Sequence, residues 1–307
     1  MKLGKFYSED GGRTGGTPRN SATVILLHER DRGPCEVFLM RRHRKQAFMG
    51  GAFVFPGGAL DEADTAPKIE ACIEGFGQAD ARRLLQEPDL SGMTALGLFM
   101  AAIRETFEEA GILLARDASG RTVDLTDPDR AARFSRYRLD LHEGRIGLTE
   151  LAQREGIRYS PDLLTPYSHW ITPEIEARRF DTRFFLARLP AGQVPTHDRM
   201  ELTESRWMTP ADALAEHDAG RIVLMPPTLK TMEELQALSS TESLFAAAES
   251  RKIEAILPEA CQTADGFALL LPDDPEYSPA THRKPARPGR ATRIVMRDGI
   301  WRRVTPQ

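Results

Sequence analysis

The stretch AAIRETFEEAGILLA, residues 101–115, sets Arg104, Glu105, Glu108 and Glu109 among residues that are otherwise mostly apolar or small. On an α-helix the three glutamates stand at i, i+3 and i+4, so their side chains share one face. Like charges at that spacing repel, and two arrangements relieve the repulsion. A solvated face could carry them, with Arg104 paired to Glu108 at i+4. A divalent cation could neutralise them instead, because hard carboxylate oxygens grouped on a rigid element suit Mg²⁺ or Mn²⁺. Spacing alone leaves both open.

The elements that must hold this cluster can be read from the apolar pattern. Leu96, Phe99, Ile103, Phe107 and Ala110 recur at spacings of three and four, predicting a helix from Thr94 to Ala110 that Gly111 stops. Upstream, SATVILLHE (21–29) and EVFLMRR (36–42) read as a strand pair across the turn residues of RDRGPC. AFVFPGG (52–58) reads as a short strand closed by a Pro56-Gly57-Gly58 turn, and residues 65–93 as an inserted helical subdomain, taken as an appendage beside the site with closure of the core as the alternative. Residues 127–156 read as two helices, SHWITPE and FDTRFFLARLP as strands, and ESRWMTPADALAEHDAG as a strand running into a helix. Two further helices follow, and Asp298-Gly299 marks a two-residue hairpin near the end. Alternating strands and helices imply an α/β domain on a mixed sheet. The expected organisation is a loose tail at 1–19, a main domain at 20–210 and an extension packed on it at 211–307. That extension could be a lid, a dimer surface or plain support, so a homodimer stays open.

Composition narrows the function. The chain has 307 residues, 41% of them hydrophobic and 28% charged, enough to bury a sizeable core. A net charge of −4 argues against general nucleic-acid binding, which needs an excess of Lys and Arg. No apolar run approaches the roughly 18 residues that span a bilayer, and the first twenty residues lack a secretory apolar core, so no membrane partner is expected. Cys35, Cys72 and Cys261 form no CxxC pair, and the histidines show no zinc spacing. A cytoplasmic setting fits these features.

Gly58, Asp64, Arg104, Glu105, Glu108, Glu109, Gly111 and Ile112 together resemble the Nudix box, G-x5-E-x7-R-E-U-x-E-E-x-G-U with U aliphatic. RETFEEAGI meets its second half, with Thr106 a weak aliphatic. Asp64 stands where the family usually has Glu, and residues 65–103, 39 in all, replace the usual seven. A long insertion inside the box is the mark of one Nudix branch, typified by a mammalian peroxisomal coenzyme A diphosphatase. Similarity to that branch extends through AFMGGAFVFPGGALDEAD, SHWITP, RRFDTRFFLARL, MPPTLKTMEEL and TADGFALLLP, over roughly residues 21–275.

The resemblance implies an α/β/α sandwich and metal-dependent hydrolysis of a nucleoside diphosphate linked to another moiety. Glu105, Glu108 and Glu109 would hold Mg²⁺ or Mn²⁺, one of them serving in water activation, while Arg104 orients them with Asp64 as its acidic partner. The missing methylene of Asp64 leaves that contact open. Gly57 and Gly58 would let backbone approach the phosphates. Many members add a loop carboxylate six residues before a strand Trp; here that is Glu201, with Glu204 ranked second. For the substrate, the basic run from Arg41 to Lys45 is either solvated surface or a reader of the coenzyme A 3′-phosphate through Arg42 helped by Arg44. Aligned backwards from Phe55, the pattern L-L-T-x-R-[SA]-x3-R-x3-G-x3-F-P-G-G is met at Gly51 and Arg42, whereas Ala47 replaces its second Arg and His43 its small residue. Coenzyme A or acyl-coenzyme A is the expected small-molecule substrate. ADP-ribose, NADH or a capped RNA end, or a binding module that senses a nucleotide without cleaving it, are the alternatives.

Overall fold

The computed structural model describes residues 15–30, 33–43, 50–197, 202–238, 240–263, 266–286 and 289–306. Arg44 and Glu201 lie outside them, as do Lys45 and Ala47. The N-terminal half runs β1 (Arg19–His28), β2 (Glu36–Arg42), β3 (Phe53–Val54), β4 (Gly57–Ala59), α1 (Gln78–Leu85), α2 (Gly92–Ala110) and β5 (Ala115–Arg116). Then come α3 (Pro128–His142), α4 (Leu148–Glu155), β6 (Arg158–Tyr159), β7 (Thr165–Ile171), β8 (Phe180–Arg188), β9 (Leu202–Met208) and α5 (Pro210–Asp218). The chain closes with α6 (Pro226–Gln236), α7 (Thr241–Glu249), β10 (Ala255–Ile256), β11 (Glu259–Thr263), β12 (Gly266–Leu270), β13 (Arg293–Arg297) and β14 (Ile300–Val304).

The main sheet is mixed, ordered β10-β7-β8-β1-β2-β3, with β4 on β1 and β9 on β2. Its central strands are apolar along their length because both faces are covered. Alternation still sorts them: Ala22, Val24 and Leu26 of β1 join one core with α2, while Ile25 and Leu27 join the other with α6 and α7. The result is an α/β/α sandwich. A second sheet, β11-β12-β13-β14, lies beyond the second core, and its Leu269, Ile294 and Trp301 belong to that core. The hairpin at Asp298-Gly299 is as expected, both residues having positive φ, 52° and 79°. All three cysteines are free thiols. Among the described residues no helix is long and apolar enough to cross a membrane.

Two expectations need correction. Residues 52–58 are not one strand ending in a turn. Pro56, which has no N–H for a ladder, separates β3 from β4. Gly57 and Gly58 then sit in β4, opposite Thr23 and Ala22 of β1. Nor is the insertion an appendage. Beyond the 3₁₀ turn Glu62–Thr65 that bears Asp64, it comprises a second 3₁₀ turn, Pro67–Cys72, and α1. Ile69, Cys72, Ala81 and Leu85 are at most 3% exposed and belong to the first core. Glu87 beyond α1 takes Arg183 of β8 in a two-bond fork, Nε to Oε1 at 2.9 Å and Nη2 to Oε2 at 2.6 Å. The insertion is clamped to the sheet.

Candidate active site

Helix α2 carries the carboxylates. Ser91 caps its start, its hydroxyl accepting from the Thr94 amide at 3.0 Å, and Gly111 at φ 70° ends it. The expected stripe is fully buried, and the polar side is nearly so: Arg104, Glu108 and Glu109 are each 9% exposed, and Glu105 is of intermediate exposure. Arg138 of α3 completes the last turn. Its Nε donates to the Glu108 carbonyl and its Nη2 to the Glu109 carbonyl, both at 2.7 Å, closing acceptors that a helix end leaves open.

Arg104 is the hub of the polar face. Its Nε and Nη2 donate to Asp64 Oδ1 and Oδ2 at 3.0 and 2.9 Å, so the shorter acid still makes a two-bond fork. Nη2 also reaches the Ala59 carbonyl at 2.9 Å, while Nη1 donates to Glu105 at 2.8 Å and approaches Glu108 at 3.5 Å. Asp64, 1% exposed, is fixed in turn by the Asp61 amide at 2.9 Å. The turn bearing Asp64 can lie this close because α2 has Gly97 beneath it: a Cβ there would fall 2.6 Å from Thr65 Cγ2. The box therefore closes spatially across its insertion.

The second approach comes from β4. The Gly57 amide donates to Glu109 Oε2 at 2.8 Å. A Cβ on Gly58 would sit 2.2 Å from Glu105 Oε1, and one on Gly57 2.4 Å from the Ala22 carbonyl. Only glycine lets this strand pass between β1 and the carboxylates.

Glu105, Glu108 and Glu109 line a cleft of about 410 Å³ with Arg42, Gly57 and Gly58. Asp64 and Arg104 stand behind that wall, and Gly111 serves as the helix stop. Glu204, on β9, does not line the cleft; it lies 3.4 Å from Arg41 and 2.5 Å from Arg206. Several cleft residues carry no signal in the box. His142 of α3 comes within 3.9 Å of Glu108, and Arg178 stacks its guanidinium over Phe180 at 5.1 Å. Trp170, Glu176, Met225, Pro226, Pro258 and Leu269 form an opposite, largely apolar side. SHWITP and MPPTLK mark part of this side in the sequence, but nothing in their residue types shows that they face the glutamates.

Burial raises the Glu105 and Glu108 carboxyls above the ordinary range, and the neighbouring acids add to it; Arg104 opposes the shift and does not cancel it. The protein thus concentrates more negative charge here than one guanidinium can balance, as a cation-binding donor set would. Among the described residues the three carboxylates do not already converge at coordination distance. Glu105 and Glu108 turn to Arg104, and Glu109 to the Gly57 amide, so holding a cation requires these side chains to turn from their present partners.

Residues 18–235 match the NUDT19 Nudix domain. The chain belongs to the NUDT19 Nudix family. The acyl-coenzyme A diphosphatase NUDT19 of Xenopus laevis is 30% identical over 273 residues, covering 79% of this chain and 71% of that one. The human protein of that name is 32% identical over 281 residues, covering 80% and 73%. A NUDIX hydrolase from Alicyclobacillus acidocaldarius superposes with a TM-score of 0.60 at 26% identity, over 77% of this chain and 98% of its own. The protein is a Nudix hydrolase, of a kind that generally uses divalent metals.

Proposed function

We propose that this NUDT19 family member hydrolyses the pyrophosphate bond of coenzyme A or acyl-coenzyme A, releasing 3′,5′-ADP and (acyl-)4′-phosphopantetheine. The observation that carries the reading is one cleft holding three helix carboxylates, a glycine strand and an arginine on one side and a broad apolar wall on the other. Such a space suits a substrate with a doubly charged middle and a long, weakly polar arm.

Glu105, Glu108 and Glu109 are the residues we assign to hold Mg²⁺ or Mn²⁺, with Glu201 as an added ligand or base. The metal supplies positive charge for the pyrophosphate oxygens and acidity for the attacking water. Arg104, held by Asp64, keeps Glu105 and Glu108 on the cleft face and limits their mutual repulsion. Gly57 and Gly58 leave room for anionic oxygens beside the carboxylates. Arg42 lines the cleft and is assigned to the 3′-phosphate, where its planar fork suits a dianion.

A metal-dependent screen over coenzyme A, acyl-coenzyme A, NADH and ADP-ribose, with products identified by mass, tests the substrate. Cleavage of the last two in preference to the first two would overturn it. Glu108→Gln and Glu109→Gln should stay folded and lose turnover by orders of magnitude; near-normal turnover would sink the assignment of the carboxylates. Arg42→Ala should raise KM about ten- to hundredfold for coenzyme A and leave 3′-dephospho-coenzyme A nearly unchanged. Equal losses on both would move Arg42 to the shared pyrophosphate.

A further inference from the structure

Across the cleft from the box, the loop between β7 and β8 carries a carboxyl with no task in the chemistry above. Glu176 lines the cleft, and its Oε1 is buried with no hydrogen-bond partner among the described residues. Its backbone is fixed by a bond from its amide to the Pro173 carbonyl at 3.2 Å. A buried acceptor left unpaired is costly, and a native site retains one where something else completes it. Burial alone pushes this carboxyl up to about 7, with no charged neighbour contributing. In its ionised form this carboxyl cannot be satisfied by phosphate oxygens, since both are acceptors and like-charged. What remains on a substrate of the proposed class is an uncharged donor, an N–H or a hydroxyl.

We propose that Glu176 is a specificity-determining residue whose Oε1 accepts a hydrogen bond from an uncharged donor on the substrate's pantetheine arm or adenine. The arm presents its amide N–H groups and a hydroxyl, and adenine its exocyclic amine. The inference rests on the coenzyme A reading. Trp170, Pro226 and Leu269, which share the cleft, supply the dry surroundings in which such a bond discriminates strongly.

The test compares Glu176→Ala and Glu176→Gln in the full chain on three substrates. These are coenzyme A, an analogue whose arm is a simple alkyl ester without amides, and an analogue whose adenine is replaced by hypoxanthine. With coenzyme A, Glu176→Ala should raise KM about tenfold at nearly unchanged kcat. Glu176→Gln keeps a carbonyl acceptor in the same place and should restore most of that loss. The Ala penalty should vanish on one analogue, which names the donor: the alkyl ester if it lies on the arm, the hypoxanthine compound if it is the adenine amine. A penalty of the same size on all three substrates, or none on coenzyme A, overturns the proposal. So does a collapse of kcat in Glu176→Gln, which would make the residue a base or a metal ligand. Wild-type inactivity towards coenzyme A would sink the substrate reading separately. The Ala and Gln comparison would then decide the role of Glu176 on whichever adenine-containing compound is cleaved, a penalty in Ala restored by Gln sustaining it and its absence ending it.

Discussion

Asp64 gives the sharpest handle on why the box survives its insertion. Truncation by Asp64→Ala removes both acceptors of the Arg104 fork and leaves a guanidinium whose side chain is 11% exposed, with only the Ala59 carbonyl, Glu105 and a long contact to Glu108. Breaking a buried pair by removing one partner costs about 3–5 kcal/mol, because the surviving charge stays desolvated. For a chain of this size that corresponds to a fall in Tm of about 5–8 °C, read by calorimetry. A second substitution separates the causes. If the orphaned charge is responsible, adding Arg104→Met, which replaces it with an apolar side chain, should recover at least half of the lost stability while turnover stays low. If the loss came instead from the Asp61 amide, which also donates to Asp64, the double variant would recover nothing. A single-variant loss under about 1 kcal/mol would refute the reasoning, since the fork would then contribute no more than an exposed pair.

Gly58→Ala should cut turnover more than a hundredfold with a modest change in Tm, because the new Cβ would lie 2.2 Å from Glu105 and displace it; wild-type-like kinetics would mean that Glu105 has no fixed task. Arg138→Met should lower Tm through the open carbonyls of Glu108 and Glu109 and slow turnover, and an unchanged kcat would separate the end of α2 from catalysis. Glu234 offers a pH test: burial pushes its carboxyl up, but Lys230 and Arg251 outweigh that and hold it down at about 2. A carboxyl lowered on folding contributes stability above its unfolded value and loses it as pH falls. The stability gap between wild type and Glu234→Gln, up to about 3 kcal/mol, should therefore close as pH drops from about 5 towards 2, and a gap constant across that range would exclude the pairing as its source.

What the sequence made legible follows from where single residues carry enough information. The helix from Thr94, the stop at Gly111 and the last hairpin were readable because each rests on a local period or a φ requirement. Thr106 looked like a flaw in the box, yet its hydroxyl donates to the Ala102 carbonyl at 2.7 Å and the rest of it packs as an aliphatic would. The β3–β4 split was not legible, since Pro-Gly-Gly specifies a break in pairing without saying that the chain resumes as a strand. Nor was the anchoring of the insertion, because Glu87 and Arg183 are ordinary charges until the fold sets them face to face. The apolar side of the cleft was hidden for the same reason: it is assembled from separate segments between Trp170 and Leu269, and none of the residues named there bears a reactive side chain except Glu176.

The insertion also changes what kind of object the Nudix box is. With 39 residues where seven usually stand, bringing Asp64 to Arg104 carries about 1.5 kcal/mol of additional loop-closure entropy, which the buried Ile69 and Leu85 readily offset. The box is thus joined by packing more than by chain continuity. Gly75 is an exposed residue between the two anchored parts, with open space around its Cα. A polypeptide cut there would keep Gly58 and Asp64 on one piece and all of α2 on the other, with the first core as the surface that reunites them. The signature of the family then becomes divisible between two molecules, and hydrolysis in such a pair would report their association by rising with the concentration of either piece.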